Sequence, residues 1–339
     1  MNFIVQSIQY QPYQLAFREP FQTATGILLN REGFIIKIRD RLSDHQVQHI
    51  GLGESAPLYG FGMESLRETE QVLKEAQRSL INAEIQNLKD IENLLAKYDR
   101  TPAAKHGIEL ALLHLLAQVQ SISISQLLAN SFSGIVRDQV TVNAVIGAIE
   151  PTKAAAKARE FVEQNYHCLK IKVGMQDFGM DLRRVEAVRS QVRNDIQIRI
   201  DANQGWSVEE AIANLKKLEF LQIEYVEQPV AASDLLGMAI VRRSQSIPVA
   251  ADESVNNLAQ LQQVIKAQAA DIIILKPMAL GGIITANHAA VIAFRAGLDV
   301  VVTTTIDGAI ARQAAFDLAA ALPINRACGL ATGHLLIES

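Results

Sequence analysis

Beyond residue 138 the chain alternates short β-rich runs with amphipathic segments, and this alternation limits the fold more than any other feature. The runs are VTVNAVIG, CLKIKVG, IQIRIDAN, IEYVEQP, IPVAADES, DIIILKP and LDVVVTTT. Alternating strand and helix predicts a parallel sheet, and this many units in about 200 residues fit a closed (β/α)8 TIM-type barrel better than an open doubly wound sheet. Seven strands are visible. Either GLATGHLL near the end supplies an eighth, or the barrel is modified there.

The first third has a different texture. Short alternating runs such as Phe34 to Ile38, and the Gly-rich GLGES from Gly51, predict antiparallel strands and tight turns in a small β-meander. From about Ser65 to Ser121 the period becomes helical: Leu66, Val72, Leu73, Ala76 and Leu80 fall on one stripe, and IELALLHLLA from Ile108 is apolar nearly all round, as in a buried helix. Two domains follow, an α+β unit over 1–130 and an α/β barrel over 131–325, with the tail returning to the first. A chain of 339 residues, 49% of them hydrophobic, can bury cores of that size.

A formal charge of −4, with acids and bases interspersed, leaves no electrostatic footprint for nucleic acid or an anionic membrane. The expected partner is a small molecule. The start, MNFIVQSIQY, lacks a basic segment leading into an apolar run, and no stretch reaches about 18 uncharged apolar residues, so a cytoplasmic location is expected. Cys168 and Cys328 are too few for a disulfide framework and lack zinc-site spacing; they read as reduced core residues. GLGES begins like a dinucleotide fingerprint but lacks the third glycine and the strand-to-helix context, so a tight turn is the better reading.

The chemistry sits at the strand ends. Lys170 and Lys172, Asp201, Glu227, Asp252 and Lys276 each close an apolar run, at intervals from Lys172 onward of 29, 26, 25 and 24 residues by subtraction. The C-terminal mouth of a barrel carries its chemistry, so these charges converge there. Three carboxylates in a partly dehydrated site repel one another, and a divalent cation is the usual remedy. Hard oxygen donors without a His or Cys set point to Mg²⁺ rather than zinc. Lys170 and Lys172 share one face of their strand, with Ile171 and Val173 toward the helices, so both lysines should face the interior. Beside a cation, such a lysine would have a lowered pKa and could act as a base.

This pattern resembles the enolase superfamily and, within it, the muconate-lactonizing-enzyme subgroup, over nearly the whole chain. The resemblance implies a capping domain over the N-terminal unit and a Mg²⁺ site, for which Mn²⁺ may substitute, at Asp201, Glu227 and Asp252. It also implies that Lys172 is the acid/base on one face of a carboxylate substrate, with Lys276 opposite and Lys170 assisting. The shared first step would be removal of a proton next to the carboxylate, with the added charge stabilised electrostatically.

Within the subgroup, FQTATGILLNREGFIIKI from Phe21, GLGESAPLYGFGMESLRETE, TTTIDGAIARQAAFDLAAAL and GLATGHLL are similar to the o-succinylbenzoate synthases of quinone biosynthesis. Asn203, Thr304 among the hydroxyls Thr303 to Thr305, and the Gly281-Gly282 backbone are the expected substrate contacts, the last two sets for a succinyl carboxylate. Dipeptide epimerases of the subgroup usually carry an Asp-x-Asp motif near the last strand, whereas Asn325 to Leu330 reads NRACGL, with no acid. An N-acylamino acid racemase remains open, because the same lysine pair serves both reactions and Asp307 and Arg312 resemble positions in that group.

Overall fold

The computed structural model describes residues 2–23, 26–41, 49–58, 62–132, 134–175 and 177–337. The described residues form a four-stranded and a seven-stranded sheet. In the first, β1 (Phe3–Thr23), β2 (Gly26–Arg41), β3 (Ile50–Ser55) and the short β4 (Glu84–Ile85) are antiparallel in the order β3-β2-β1-β4. The alternation at Phe34, Ile36 and Ile38 is the buried face of β2. Residues 24–25 and 59–61 of the two loop segments compared above lie outside the described residues.

Helices α1 (Leu66–Ser79), α2 (Leu88–Leu95), α3 (Pro102–Gln120) and α4 (Ile124–Ala129) follow. Ser65 starts α1 with a capping box: its side chain accepts from Glu68 N while Glu68 reaches back to the Ser65 backbone. The apolar helix from Ile108 is buried nearly all round, packed against β3 on one side and the barrel helices on others. GLGES is strand rather than tight turn. A Cβ at Gly51 or Gly53 would collide with the α3 backbone at Ala111 or Gly107, so these glycines serve close strand–helix packing.

All seven expected barrel strands form: β5 (Ala144–Ile146), β6 (Cys168–Lys172), β7 (Gln197–Asp201), β8 (Ile223–Glu227), β9 (Val249–Ala251), β10 (Ile272–Leu275) and β11 (Asp299–Val302). They lie in consecutive order, each parallel to the next. Between them run α5 (Pro151–Glu163), α6 (Phe178–Gln191), α7 (Val208–Leu218), α8 (Leu235–Ser244), α9 (Leu258–Ala267), α10 (Pro277–Leu280) and α11 (Ile283–Arg295), with α12 (Ala309–Ala321) after β11. Two residues stand where an eighth strand would. Cys328 bridges Val142 before β5, and Gly329 bridges Thr303 after β11, both in parallel sense. The backbone bonds Cys328 N to Thr141 O (2.8 Å) and Gly329 N to Val302 O (2.9 Å) join the two edges. The barrel is thus a modified one, its last position filled by part of CGLATGHLL. Beyond it Leu336 pairs with Phe17, and Ile337 N donates to Ala16 O at 2.9 Å.

Strand alternation layers the barrel interior. Tyr225, Ala250, Ile274 and Val301 belong to a small apolar cluster apart from the main core, and two residues on, at the same face, stand Glu227, Asp252, Lys276 and Thr303. Lys170 and Arg199 likewise precede Lys172 and Asp201 by two. Arg199 is fully buried: Nε donates to Glu224 Oε2 at 2.6 Å, Nη1 to Ala327 O at 2.7 Å, and the guanidinium lies 4.7 Å from the Tyr225 ring. Arg326, beside the closing residues, reaches the other Glu224 oxygen at 2.7 Å. Replacing Arg199 by Met is expected to lower the free energy of unfolding by about 1–3 kcal/mol: Glu224 keeps Arg326, but one of its oxygens and the Ala327 carbonyl lose a buried donor. Denaturant titration measures it, and a loss below about 1 kcal/mol would mean the pair is dispensable.

Candidate active site

Backbone register gathers the charged residues. Lys172 pairs with Asp201 across β6 and β7, and Asp201 with Glu227 across β7 and β8. Glu227 aligns with Ala250 on β9, so Asp252 stands two residues further along. Lys276 follows β10 and begins the turn into α10.

The side chains interlock. Lys170 Nζ lies 3.0 Å from Asp201 Oδ2 and 2.9 Å from Glu227 Oε1. Lys172 Nζ lies 2.6 Å from Asp201 Oδ2 and donates to Asn203 Oδ1 at 2.7 Å. Lys276 Nζ is 2.6 Å from Asp252 Oδ2. Asn203 Nδ2 in turn donates to Glu253 Oε1 at 3.1 Å. Asp201, Glu227, Asp252 and Lys276 are buried. The six charged residues and Asn203, all seven expected from the sequence, therefore share the mouth.

Burial raises the Glu227 carboxyl to about 7, with the neighbouring Asp201 charge adding to it. Burial would raise Asp201 as well, but Lys172 and Lys170 hold it well below the usual carboxylate range. For Lys170 and Lys276 burial favours the neutral amine, yet Glu227 and Asp252 respectively outweigh it and push both ammoniums up. These directions are set by the carboxylates, the nearest charges to both amines.

Four carboxylates, with Glu253 the fourth, face three ammoniums here, and Glu253 Oε2 is buried without a hydrogen-bond partner. Excess buried negative charge on hard oxygen atoms fits a divalent cation of the Mg²⁺ kind, and Asp201, Glu227 and Asp252 are the residues that could hold it. Among the described residues no three Asp, Glu, His or Cys side chains surround one point, since the carboxylates are drawn onto the lysines.

The remaining predicted contacts divide. Thr304 is buried, with Oγ1 2.9 Å from Thr332 Oγ1, and Thr303 Oγ1 donates to Gly329 O at 2.9 Å. The glycine pair does other work: Gly281 N donates to Met278 O (3.3 Å) and Gly282 N to Pro277 O (2.9 Å). Their amides close the turn after α10, so they are not free to take a substrate carboxylate. Glu109 sits against Gly282 and accepts from Ile284 N at 2.9 Å. Asp307 is bonded by the Thr305 hydroxyl, and Arg312 Nη1 donates to the Asp307 carbonyl at 3.3 Å.

Sequence reasoning gave no role to Gln228, whose Oε1 accepts from Asp252 N (3.0 Å), Ser254 N (3.2 Å) and Ser254 Oγ (3.0 Å) and so fixes the backbone of the acid. Its place beside Glu227 in a buried strand end was the available signal. The mouth also gathers backbone in the left-handed region at non-glycine residues: Asn203 (φ 41°), Gln204 (68°), Gln228 (38°) and Ile306 (58°). Such conformations cluster where function constrains the chain.

Comparison with known proteins agrees with this geometry. The family model described as enolase C-terminal domain-like matches residues 153–337. The L-Ala-D/L-Glu epimerase of Bacillus subtilis (strain 168) is 33% identical over 310 residues, 89% of this chain and 81% of that protein. The o-succinylbenzoate synthase of Thermobifida fusca (strain YX) is 40% identical over 206 residues, 59% of this chain and 62% of that protein. A dipeptide epimerase from Enterococcus faecalis V583, solved with Mg and the dipeptide L-Leu-L-Tyr, superposes with a TM-score of 0.90 at 29% identity, covering 99% of this chain and 92% of that one. A capping α+β sheet, a modified parallel barrel, the matching family model and these relatives together make the chain a member of the enolase superfamily, with homologues in its muconate-lactonizing, o-succinylbenzoate synthase and epimerase subgroup.

Proposed function

We propose that the protein is an o-succinylbenzoate synthase, a Mg²⁺-dependent lyase that dehydrates 2-succinyl-6-hydroxy-2,4-cyclohexadiene-1-carboxylate to 2-succinylbenzoate. The observation that carries this reading is the closing segment of the barrel. Asn325 to Leu330 has no acidic side chain, and a Cβ on Gly329 would collide with Thr303, so a carboxylate cannot be seated at that position. A substrate ammonium, such as a dipeptide terminus, finds no acidic partner in this segment. A succinyl carboxylate needs none.

In this reading Lys172, presented as the free amine, takes the proton next to the substrate carboxylate. Asp201 and Asn203 hold its Nζ toward the mouth. The electron pair moves into the ring, the C–O bond breaks, and the same ammonium returns its proton to the departing hydroxyl. Water leaves from the face that lost the proton, and aromatisation makes the step favourable. Asp201, Glu227 and Asp252 would hold Mg²⁺, which when bound would supply positive charge against the negative charge developing on the substrate carboxylate. Lys276 adds a cation on the opposite face, and Lys170 braces Asp201 and Glu227.

A second reading, transfer of a proton from one face of an α-carbon to the other, draws on Lys172 and Lys276 both being present and on the epimerase relatives. The two are separated by one assay. With Mg²⁺, rapid formation of the aromatic product in the ultraviolet, abolished by chelator and tested in parallel with Mn²⁺, is expected. Absence of that conversion together with deuterium exchange into N-succinylamino acids or dipeptides would establish the second reading instead.

A further inference from the structure

The loop after β11 holds a conformation that its sequence resists. Ile306, a β-branched residue, sits at φ 58°, where the Cβ crowds the backbone. Such a geometry persists only where the surroundings impose it. The loop starts beside the catalytic mouth: Thr303 N donates to Leu275 O at 2.9 Å, and Lys276 is the next residue.

What imposes it comes from the N-terminal sheet. Arg31 on β2 is 2% exposed, and its Nε donates to the Ile306 carbonyl at 3.1 Å. The rest of its guanidinium is anchored on its own side, with Nη1 donating to Pro57 O at 2.9 Å and Nη2 to Ala56 O. Two and five residues beyond Ile306, Gly308 N and Ala311 N donate to Glu54 of β3 at 2.6 Å and 3.0 Å, so the N-terminal sheet also caps α12. Tyr13 Oη braces that carboxylate with a 2.6 Å bond. The segment from Ile306 to Ala311 is therefore pinned at both ends by the capping unit. These contacts join residues 275, 254 and 257 positions apart.

We infer that Arg31 is a positioning residue for the active site: by holding the Ile306 carbonyl it keeps the loop in the one strained shape that fits the substituent of the carboxylate substrate. Selectivity is then set in part from a strand of the cap that need not touch the substrate. A contact that merely glued two domains together would be felt in stability alone. Positioning is felt in KM, and it depends on the strain at residue 306.

A double-mutant cycle reads this dependence. Arg31→Met keeps the stem and removes the donors; Ile306→Gly removes the penalty at positive φ. Arg31→Met is expected to raise KM for the cyclohexadiene carboxylate at least tenfold with a smaller change in kcat. In the Ile306→Gly background the same change should move KM less than threefold. Equal effects in both backgrounds, or a lowered Tm with unchanged KM, would overturn the inference. Should Arg31→Met give no folded protein, Arg31→Lys takes its place in the cycle with the same two outcomes. The choice of substrate rests on the function proposed above, so amide exchange over 303–308 is measured without substrate in the same variants. It should rise at least tenfold on loss of Arg31, and unchanged exchange overturns the latch. A wild-type protein inactive on that substrate would count against the function alone.

Discussion

Lys172→Ala is expected to lower turnover by about 10³-fold or more while the protein stays folded. General acid–base catalysis contributes roughly 10²–10⁴-fold, and a group that serves both the proton removal and its return lies at the upper end of that range. Folding should survive because the buried Asp201 keeps its second ammonium, Lys170 at 3.0 Å, when Lys172 at 2.6 Å is removed. The Lys172 side chain is also 22% exposed, so its loss opens no sealed cavity. Steady-state kinetics beside a melting curve measures both halves. Turnover within tenfold of the wild type would place the base elsewhere, and a collapsed melting temperature would recast Lys172 as structural.

Asp252→Asn should weaken Mg²⁺ binding on the order of 100-fold, since the number of charged ligands is what tunes such sites most strongly. Shape is preserved, because Gln228 bonds the residue 252 backbone N–H rather than its side chain. Lys276, 2.6 Å from the lost charge, would be left facing a neutral amide. Calorimetric titration of the metal gives the affinity directly, without reference to any substrate. An unchanged affinity would move the ion away from Asp252.

Much of this arrangement was legible in the sequence because barrel strands are short and punctuated. Each of β5 to β11 reads as an apolar run, and the late charges at Lys172, Asp201 and Glu227 fall into register once the strands pair in order. The closing segment was named but left open between a strand and a modified barrel, since Cys328 and Gly329 are too short a stretch to show a period. Gly281 and Gly282 were misjudged as donors, because sequence cannot tell that their amides are already bonded within a turn. The latch from Arg31 and Glu54 to the α12 loop was invisible for another reason: its partners lie more than 250 positions away, and no local pattern reports a contact of that range. Arg199 did leave a trace. A charge two residues before Asp201, inside an apolar strand, belongs on the same inward face and demands a buried partner.

That Arg199 layer has a consequence for how such a barrel can change over evolutionary time. Alternate inward positions on one strand hold Arg199, which ties β7 to Glu224 and to the closing segment, and Asp201, the proposed metal ligand at the mouth. They are about 7 Å apart along the strand. Mutations at the rim can therefore trade one proton transfer for another while the clasp beneath keeps the ring shut. The reverse does not hold, for a loosened clasp would spoil every reaction the rim might acquire.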